Sequence, residues 1–363
     1  MDKLSNYYRN KKILITGHTG FKGAWLSLAL STFGAKILGI SKNIPTKPSL
    51  YEASQLKQKV KTEFIDIQNL KKTKREIKKF KPDIIFHLAA QSLVKKSFSY
   101  PVETFLTNSI GTLNVLESLR EIKKKCNIII ITSDKCYENI EIKKGYKETD
   151  RLGGKDPYSA SKASAEIILH SYFNSFICKK DNLRISIARA GNVVGGGDWS
   201  DDRLVPDIVK SWSKNRTVNI RNLKSTRPWQ HVLEAIFGYL LLCYNLNKKK
   251  NLNGEAFNFG PGGNYNYSTK EVLEKLKTLW PKKSKIKVRR SSSIAESTLL
   301  KLNCAKAKKR LAWRSILNFH STFDLTINWY INFYFKRKKN IYDFSRTQIK
   351  NYLVKFVKKN KLR

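Results

Sequence analysis

Short apolar runs alternate with longer stretches of helical spacing along the first 190 residues of the chain. The runs at 12–16 (KILIT), 36–40 (KILGI), 83–88 (DIIFHL), 127–132 (NIIIIT) and 184–189 (RISIAR) are nearly continuous in apolar side chains. Such runs predict strands buried on both faces. A further strand is expected in EFIDI, just before the stretch at 68–80. Segments 23–33, 68–80, 104–124 and 157–178 carry apolar residues at helical spacing. Strand, helix, strand, helix predicts an α/β fold with a doubly wound parallel sheet and helices on both faces. An apolar helix near 231–245 and a strand at 255–259 (EAFNF) extend the pattern. The expected division is a sheet domain over 1–190, rejoined by 227–262, and a smaller C-terminal lobe from 191–226 and 263–335. A tail follows at 336–363. Ligands of such sheets lie beyond the carboxyl ends of the strands, so chemistry is sought there.

Composition narrows the class. The chain has 363 residues with 71 Lys and Arg against 28 Asp and Glu, a net charge of +43. That excess raises nucleic-acid binding as a reading. The lysines are spread along the chain, however, with no arginine-rich arm and no basic repeat interleaved with aromatics. The charge is read as a bias of composition, and no nucleic-acid partner is expected. Hydrophobic residues at 41% support a sizeable core and exclude disorder throughout. No apolar run approaches the ~20 residues of a membrane span. The N-terminus, MDKLSNYYRNKK, lacks the apolar centre of a signal peptide. Five scattered cysteines, Cys126, Cys136, Cys178, Cys243 and Cys304, never fall in a C-x-x-C spacing. They argue for a reducing, cytoplasmic setting and against a disulfide or zinc scaffold; no metal is expected. The tail from Lys336 is a dense basic run around YLVKFV. It reads as a solvated helix or a weak contact for anionic surfaces.

The first expected strand ends directly in Gly17-His18-Thr19-Gly20-Phe21-Lys22-Gly23. Glycines permit a tight turn that brings backbone N–H groups and a helix N-terminus against a pyrophosphate. Within a strand–helix–strand unit of about thirty residues this marks a Rossmann-type dinucleotide site. The acid expected after the second strand is missing, because the stretch there is Ser41-Lys42-Asn43. Lys42 could instead face a 2′-phosphate, which leaves NAD and NADP both open on these residues. Asp66 offers a carboxylate to an adenine amino group or, equally, a cap for the helix that follows.

Tyr158 and Lys162 stand four apart on an expected helix and project from one face. A tyrosine near pKa 10 needs roughly 4 kcal/mol of preferential phenolate stabilisation to act as a base at neutral pH. A lysine ammonium one turn away and an oxidised nicotinamide supply positive charge of that kind. The strand at 127–132 ends in Thr132-Ser133-Asp134-Lys135, a hydroxyl, an acid and a base at the sheet's carboxyl edge.

GHTGFKG, HLAAQSLV (87–94), TSDKCYEN (132–139), YSASK (158–162), ARAGNVVGGGDW (188–199) and RPWQHVLEA (227–235) together resemble the extended short-chain dehydrogenases/reductases. The Asp-Lys pair, RPWQHV and GGGDW are more specific and resemble the CDP-glucose 4,6-dehydratase family. The likeness runs from about residue 10 to 335 and closes with LKLNCAKAKKRLAWR. It implies NAD as cofactor and CDP-glucose as substrate. It also implies a reaction in which hydride leaves sugar C4, water is lost across C5 and C6, and hydride returns to C6. By the same resemblance Tyr158 is the base at the C4 hydroxyl, Lys162 holds the nicotinamide ribose and acidifies Tyr158, and Ser133 orients the sugar. Asp134 protonates the departing C6 oxygen, and Lys135 assists at C5 as a base or by stabilising the enolate. The cofactor is placed on Gly17, His18, Gly20, Phe21, Lys22, Gly23, Asp66, Ile67, Leu88, Ala89, Ala90, Asn108, Tyr158 and Lys162. The substrate is placed on Gln91, Asn192, Arg203 and Arg227, with Trp199 near the nucleotide; His87 and His231 read as structural. A homodimer through helices 104–124 and 157–178 is implied, as is a place in deoxysugar synthesis for a surface polysaccharide such as O-antigen. Related dehydratases carry Glu where this chain has Lys135. Three alternatives stay open: a UDP-N-acetylglucosamine 4,6-dehydratase, another nucleotide-sugar epimerase or dehydratase, and a regulatory or nucleic-acid-binding protein on a reused scaffold.

Overall fold

The computed structural model describes residues 2–362 apart from 221, 263–265, 283, 289–298 and 337–340. Parts of the expected lobe segment 263–335 and of the tail 336–363 thus lie outside the described residues. Seven strands form one sheet: β1 (Lys12–Thr16), β2 (Lys36–Ser41), β3 (Lys61–Phe64), β4 (Ile84–His87), β5 (Cys126–Ile131), β6 (Leu183–Ala190) and β7 (Ala256–Phe259). Their order is 7-6-5-4-1-2-3 and every pairing is parallel. The chain reverses its direction of travel between β1 and β4. The crevice at their carboxyl ends is therefore where such a sheet takes a ligand.

Alternation of side chains explains why the central strands are apolar throughout. Along β5, Ile129 and Ile131 enter one core cluster while Ile128 and Ile130 enter the other. The first cluster packs α1 (Phe21–Thr32) and the apolar helix Val232–Lys248 on one face. The second packs α2 (Leu70–Phe80), α3 (Gly111–Leu119) and α4 (Pro157–Tyr172) on the other.

Two of the expected helices are not uniform. The stretch 104–124 contains a wide turn at Leu106–Ile110 and ends its helix at Leu119. The stretch 157–178 likewise passes into a wide turn at Phe173–Ile177. One extra residue per turn at 106–110 brings Asn108 under the loop after β4, where it bonds Gln91.

The tail departs from expectation more sharply. Its helix, Ile341–Lys359, buries Ile349, Tyr352 and Phe356, and the rings of Tyr352 and Phe356 lie 4.7 and 5.1 Å from that of Phe237. The lysines occupy the opposite face, so the high charge concealed an apolar stripe. Glu234 ties the preceding segment down: its Oε1 accepts the N–H groups of Ile316 and Leu317 at 2.7 and 2.6 Å. Burial pushes that carboxyl up to about 7. Among the described residues no helix is long and apolar enough to cross a membrane.

Candidate active site

Gly17 follows β1 with φ +75°, and its N–H donates to the Ile40 carbonyl at 2.7 Å. A Cβ there would lie 2.7 Å from the Ala89 nitrogen, and one at Gly23 would lie 2.1 Å from the Gly17 oxygen. Glycine at both positions lets α1 close against β1 and β4. Gly20 is the N-cap of α1, and no side chain caps the helix there. Its first-turn donors and the positive end of its dipole face the crevice. Thr16 fixes the opposite wall, its Oγ1 accepting the N–H groups of Leu88 and Ala89, each at 3.2 Å. The same hydroxyl lies 2.7 Å from His87 Nδ1, and burial holds His87 near 3, so it is a neutral structural residue.

Several residues expected to touch cofactor or substrate make hydrogen bonds within the protein. His18 is buried, with Nδ1 2.9 Å from Ser41 Oγ and Nε2 3.0 Å from Thr62 Oγ1; burial lowers its pKa to about 4. Asn108 receives the Gln91 N–H on Oδ1 and donates Nδ2 to the Gln91 carbonyl and to Ser161 Oγ. Gln91 in turn accepts the Leu93 N–H on Oε1 at 2.6 Å and donates Nε2 to Leu93 and Thr104. Both amides shape the loop after β4. Ile67 is core. Asp66 pairs with Lys42 at 3.0 Å and accepts the Gln68 N–H, while Asn69 caps α2; the capping role considered for Asp66 belongs to Asn69. Trp199 donates Nε1 to Tyr334 Oη and packs among Trp329, Tyr330 and Phe333, which makes it core rather than a nucleotide contact.

Beyond β5 the chain turns tightly over Asp134–Cys136. Ser133 Oγ donates to Asp134 Oδ1 at 2.9 Å and accepts the Lys135 N–H at 3.2 Å. Asp134 is only 4% exposed, and burial raises its pKa against the pull of Lys135, Ser133 and Lys22. A Cβ at Gly191 would lie 3.0 Å from Asp134 Oδ2, so glycine makes room for this carboxyl. α4 starts under an Asp156 cap, and the Tyr158 N–H donates to Ser97 Oγ. Burial lifts the Tyr158 phenol to about 12, opposed by the nearby Ser133 hydroxyl and by the Arg203 guanidinium. Burial lowers Lys162 to about 8 against the field of Glu166. Lys22 is held near 8 as well, mainly by burial and then by Arg203, with Asp134 acting the other way. Ser133, Asp134, Tyr158, Lys162, Lys22 and Arg203 thus act on one another at one end of the sheet.

On the lobe side, Arg203 Nη1 donates to Asp198 at 2.9 Å. The Asn192 carbonyl accepts the Gln230 N–H. Arg227 lies in a two-residue strand paired with Tyr267–Ser268 and donates Nη1 to the Thr226 carbonyl. Two buried residues escaped sequence reasoning, Glu166 on α4 and Arg189 on β6, which form an ion pair. The available signal was a charge set inside RISIAR, an otherwise apolar strand.

A family model described as GDP-mannose 4,6 dehydratase matches residues 14–326. The CDP-glucose 4,6-dehydratase of Salmonella typhimurium is 39% identical over 90% of this chain and 92% of its own. Among solved structures, the epimerase Mth375 of Methanothermobacter thermautotrophicus superposes with a TM-score of 0.77 at 23% identity, covering 92% of this chain and 96% of that one. The dTDP-glucose 4,6-dehydratase of Streptomyces venezuelae, solved with NAD bound, gives 0.74 at 20% identity over 90% and 100% of the two chains.

Proposed function

The chain belongs to the GDP-mannose 4,6-dehydratase family of extended short-chain dehydrogenases/reductases, and on that premise we propose that this nucleotide-sugar dehydratase converts CDP-glucose to CDP-4-dehydro-6-deoxyglucose. The observation that carries the reading is the buried Ser133-Asp134-Lys135 turn, electrostatically coupled to Tyr158 of α4 and set in a chain 39% identical to a CDP-glucose dehydratase. We place NAD on the sheet domain and the nucleotide sugar between it and the lobe. The cradle suits a dinucleotide: glycine is required at 17 and 23, and the helix behind Gly20 has no side-chain cap to compete with a phosphate. Bound there, NAD would supply a hydride acceptor that is restored within one turnover.

The chain's own groups divide the remaining work. Lys162, on the same helix face as Tyr158, holds the nicotinamide ribose. Tyr158 Oη takes the proton of the C4 hydroxyl, and Ser133 Oγ, close enough to act on the phenol, orients the sugar. Asp134, whose neutral form burial favours, delivers its proton to the departing C6 oxygen. Lys135 serves C5, taking the proton or steadying the enolate with its charge. Arg203 and Arg227 are assigned to the diphosphate, with Asn192 beside the sugar. With CDP-glucose deuterated at C4, the 4-keto product is expected to carry the label at C6. Product without label at C6 overturns the mechanism. A panel in which UDP sugars turn over faster than CDP-glucose overturns the choice of base.

The proposal places the enzyme in the cytoplasm as a homodimer. On the stretches 104–124 and 157–178 Ile167 is 59% exposed and Leu106, Ile110 and Phe176 are exposed as well, with Val102, 69% exposed, just ahead of the first. A second copy covering these faces removes that apolar area from water. Sedimentation should give twice the chain mass, and Ile167→Glu should give the monomer. A monomeric wild type rejects the dimer.

A further inference from the structure

The turn carrying Asp134 and Lys135 is gripped from both sides by one ion pair. Glu166 and Arg189 are 3% and 4% exposed, and Arg189 Nε donates to both Glu166 oxygens at 2.9 and 3.0 Å, with Nη2 adding a further bond to Oε2. Thr132, immediately before Ser133, donates Oγ1 to Glu166 Oε1 at 2.6 Å. Tyr137, immediately after the turn, accepts Arg189 Nη1 on Oη at 2.6 Å and passes its own proton to Asn258 Oδ1 at 2.8 Å. Glu166 lies on α4, one turn beyond Lys162. A buried ion pair is weak evidence of stabilisation, because apolar residues of equal volume serve as well. What apolar residues could not supply is directional bonds to the two positions that bracket residues 133–136.

We propose that the Glu166–Arg189 pair is a positioning device for water elimination, fixing the acid–base turn relative to the helix that bears Tyr158 and Lys162. The inference rests on the dehydratase reading above. Tyr158 and Lys162 share α4 and keep their mutual geometry without Thr132 or Tyr137. Asp134 and Lys135 reach the same sugar from a separate element. Only their placement depends on the hydroxyls at 132 and 137. Proton transfer falls steeply with displacements of about 1 Å, so loosening the turn slows elimination while sparing oxidation.

The test uses full-length enzyme with NAD and CDP-glucose, in Thr132→Val, Tyr137→Phe and the double variant. Each substitution removes one hydroxyl and leaves the ion pair intact. In rapid mixing, reduced nicotinamide should form at a rate within about threefold of wild type. Overall turnover should fall about tenfold in each single variant and about a hundredfold in the double. Reduced cofactor should therefore build up on the variants during the steady state, with thermal midpoints close to that of wild type. Thr132→Ser, which restores the hydroxyl, should restore turnover. Unchanged turnover, equal slowing of both steps, a large drop in thermal midpoint, or failure of the serine variant to recover each overturns the proposal. Wild-type enzyme inert on CDP-glucose overturns the substrate reading instead, so the two failures are distinguishable.

Discussion

Tyr158→Phe is expected to lower kcat by about 10³-fold or more and to leave no reduced nicotinamide at any stage of the reaction. A positioned proton acceptor contributes about 10² to 10⁴ in rate, and here it gates the first chemical step. The substitution keeps the buried ring and the Ser97 bond to the backbone N–H at 158, so the fold is retained. Binding of CDP, which does not use the phenol, should be unaltered in calorimetry. The phenol sits near 12 because burial outweighs Ser133 and Arg203. An oxidised nicotinamide bound beside it would add positive charge that lowers the phenol further. Lys162 and Lys22 near 8 set the alkaline limit. In the roles proposed for them both act as cations, on the ribose and beside the diphosphate cradle, and both lose their charge as pH rises. In wild-type enzyme kcat/KM should therefore decline above about pH 8, more steeply than a single deprotonation gives. Phenylalanine enzyme with appreciable turnover, or a wild-type profile rising through pH 9, rejects these assignments.

The sheet was legible because its strands are buried on both faces, so that NIIIIT has no reason to alternate and stands out against lysine-rich surroundings. The glycine loop was legible for steric reasons, since a Cβ at Gly17 or Gly23 meets backbone. Tyr158 and Lys162 fall on one helix, as their spacing of four after the fifth strand predicts. Side-chain direction is not legible in a motif. A motif marks a neighbourhood, but Gln91 and Asn108 turn their amides toward each other's segments, and His18 turns beneath Gly39. Trp199 joined the core because four aromatic residues from the helix Phe319–Tyr334 surround it, a contact across more than 120 residues of sequence. The C-terminal helix was misjudged because charge density dominates a simple reading, whereas a stripe every three or four residues decides burial. Glu166 and Arg189 meet only once β6 has crossed the sheet beside β5, which spacing within one element does not anticipate.

Asp134→Asn should separate the two halves of the reaction more completely than any other single change. Asparagine has the same shape, still accepts the Ser133 hydroxyl on Oδ1 and fits the space left by Gly191. It has no proton to give the departing C6 oxygen. Oxidation at C4 uses Tyr158 and Lys162 and is expected to proceed, whereas elimination should slow about 10²- to 10³-fold. Enzyme mixed with CDP-glucose should then hold a 4-keto sugar that retains its C6 oxygen, together with reduced nicotinamide. Mass spectrometry of the quenched mixture would find this species unhydrated at C4 or as its hydrate, in either case without loss of the C6 hydroxyl. The wild-type carboxyl delivers its proton only in the neutral form, which burial favours over Lys135 and Lys22. Wild-type elimination should accordingly be lost as pH rises past the carboxyl's elevated pKa, and the asparagine variant should show no such loss. Asparagine enzyme releasing 4-keto-6-deoxy product at the wild-type rate would assign the acid to another group. Trapped reduced cofactor in this variant and none in Tyr158→Phe would order the two residues in time, the phenol before the carboxyl, on one sugar in one cleft.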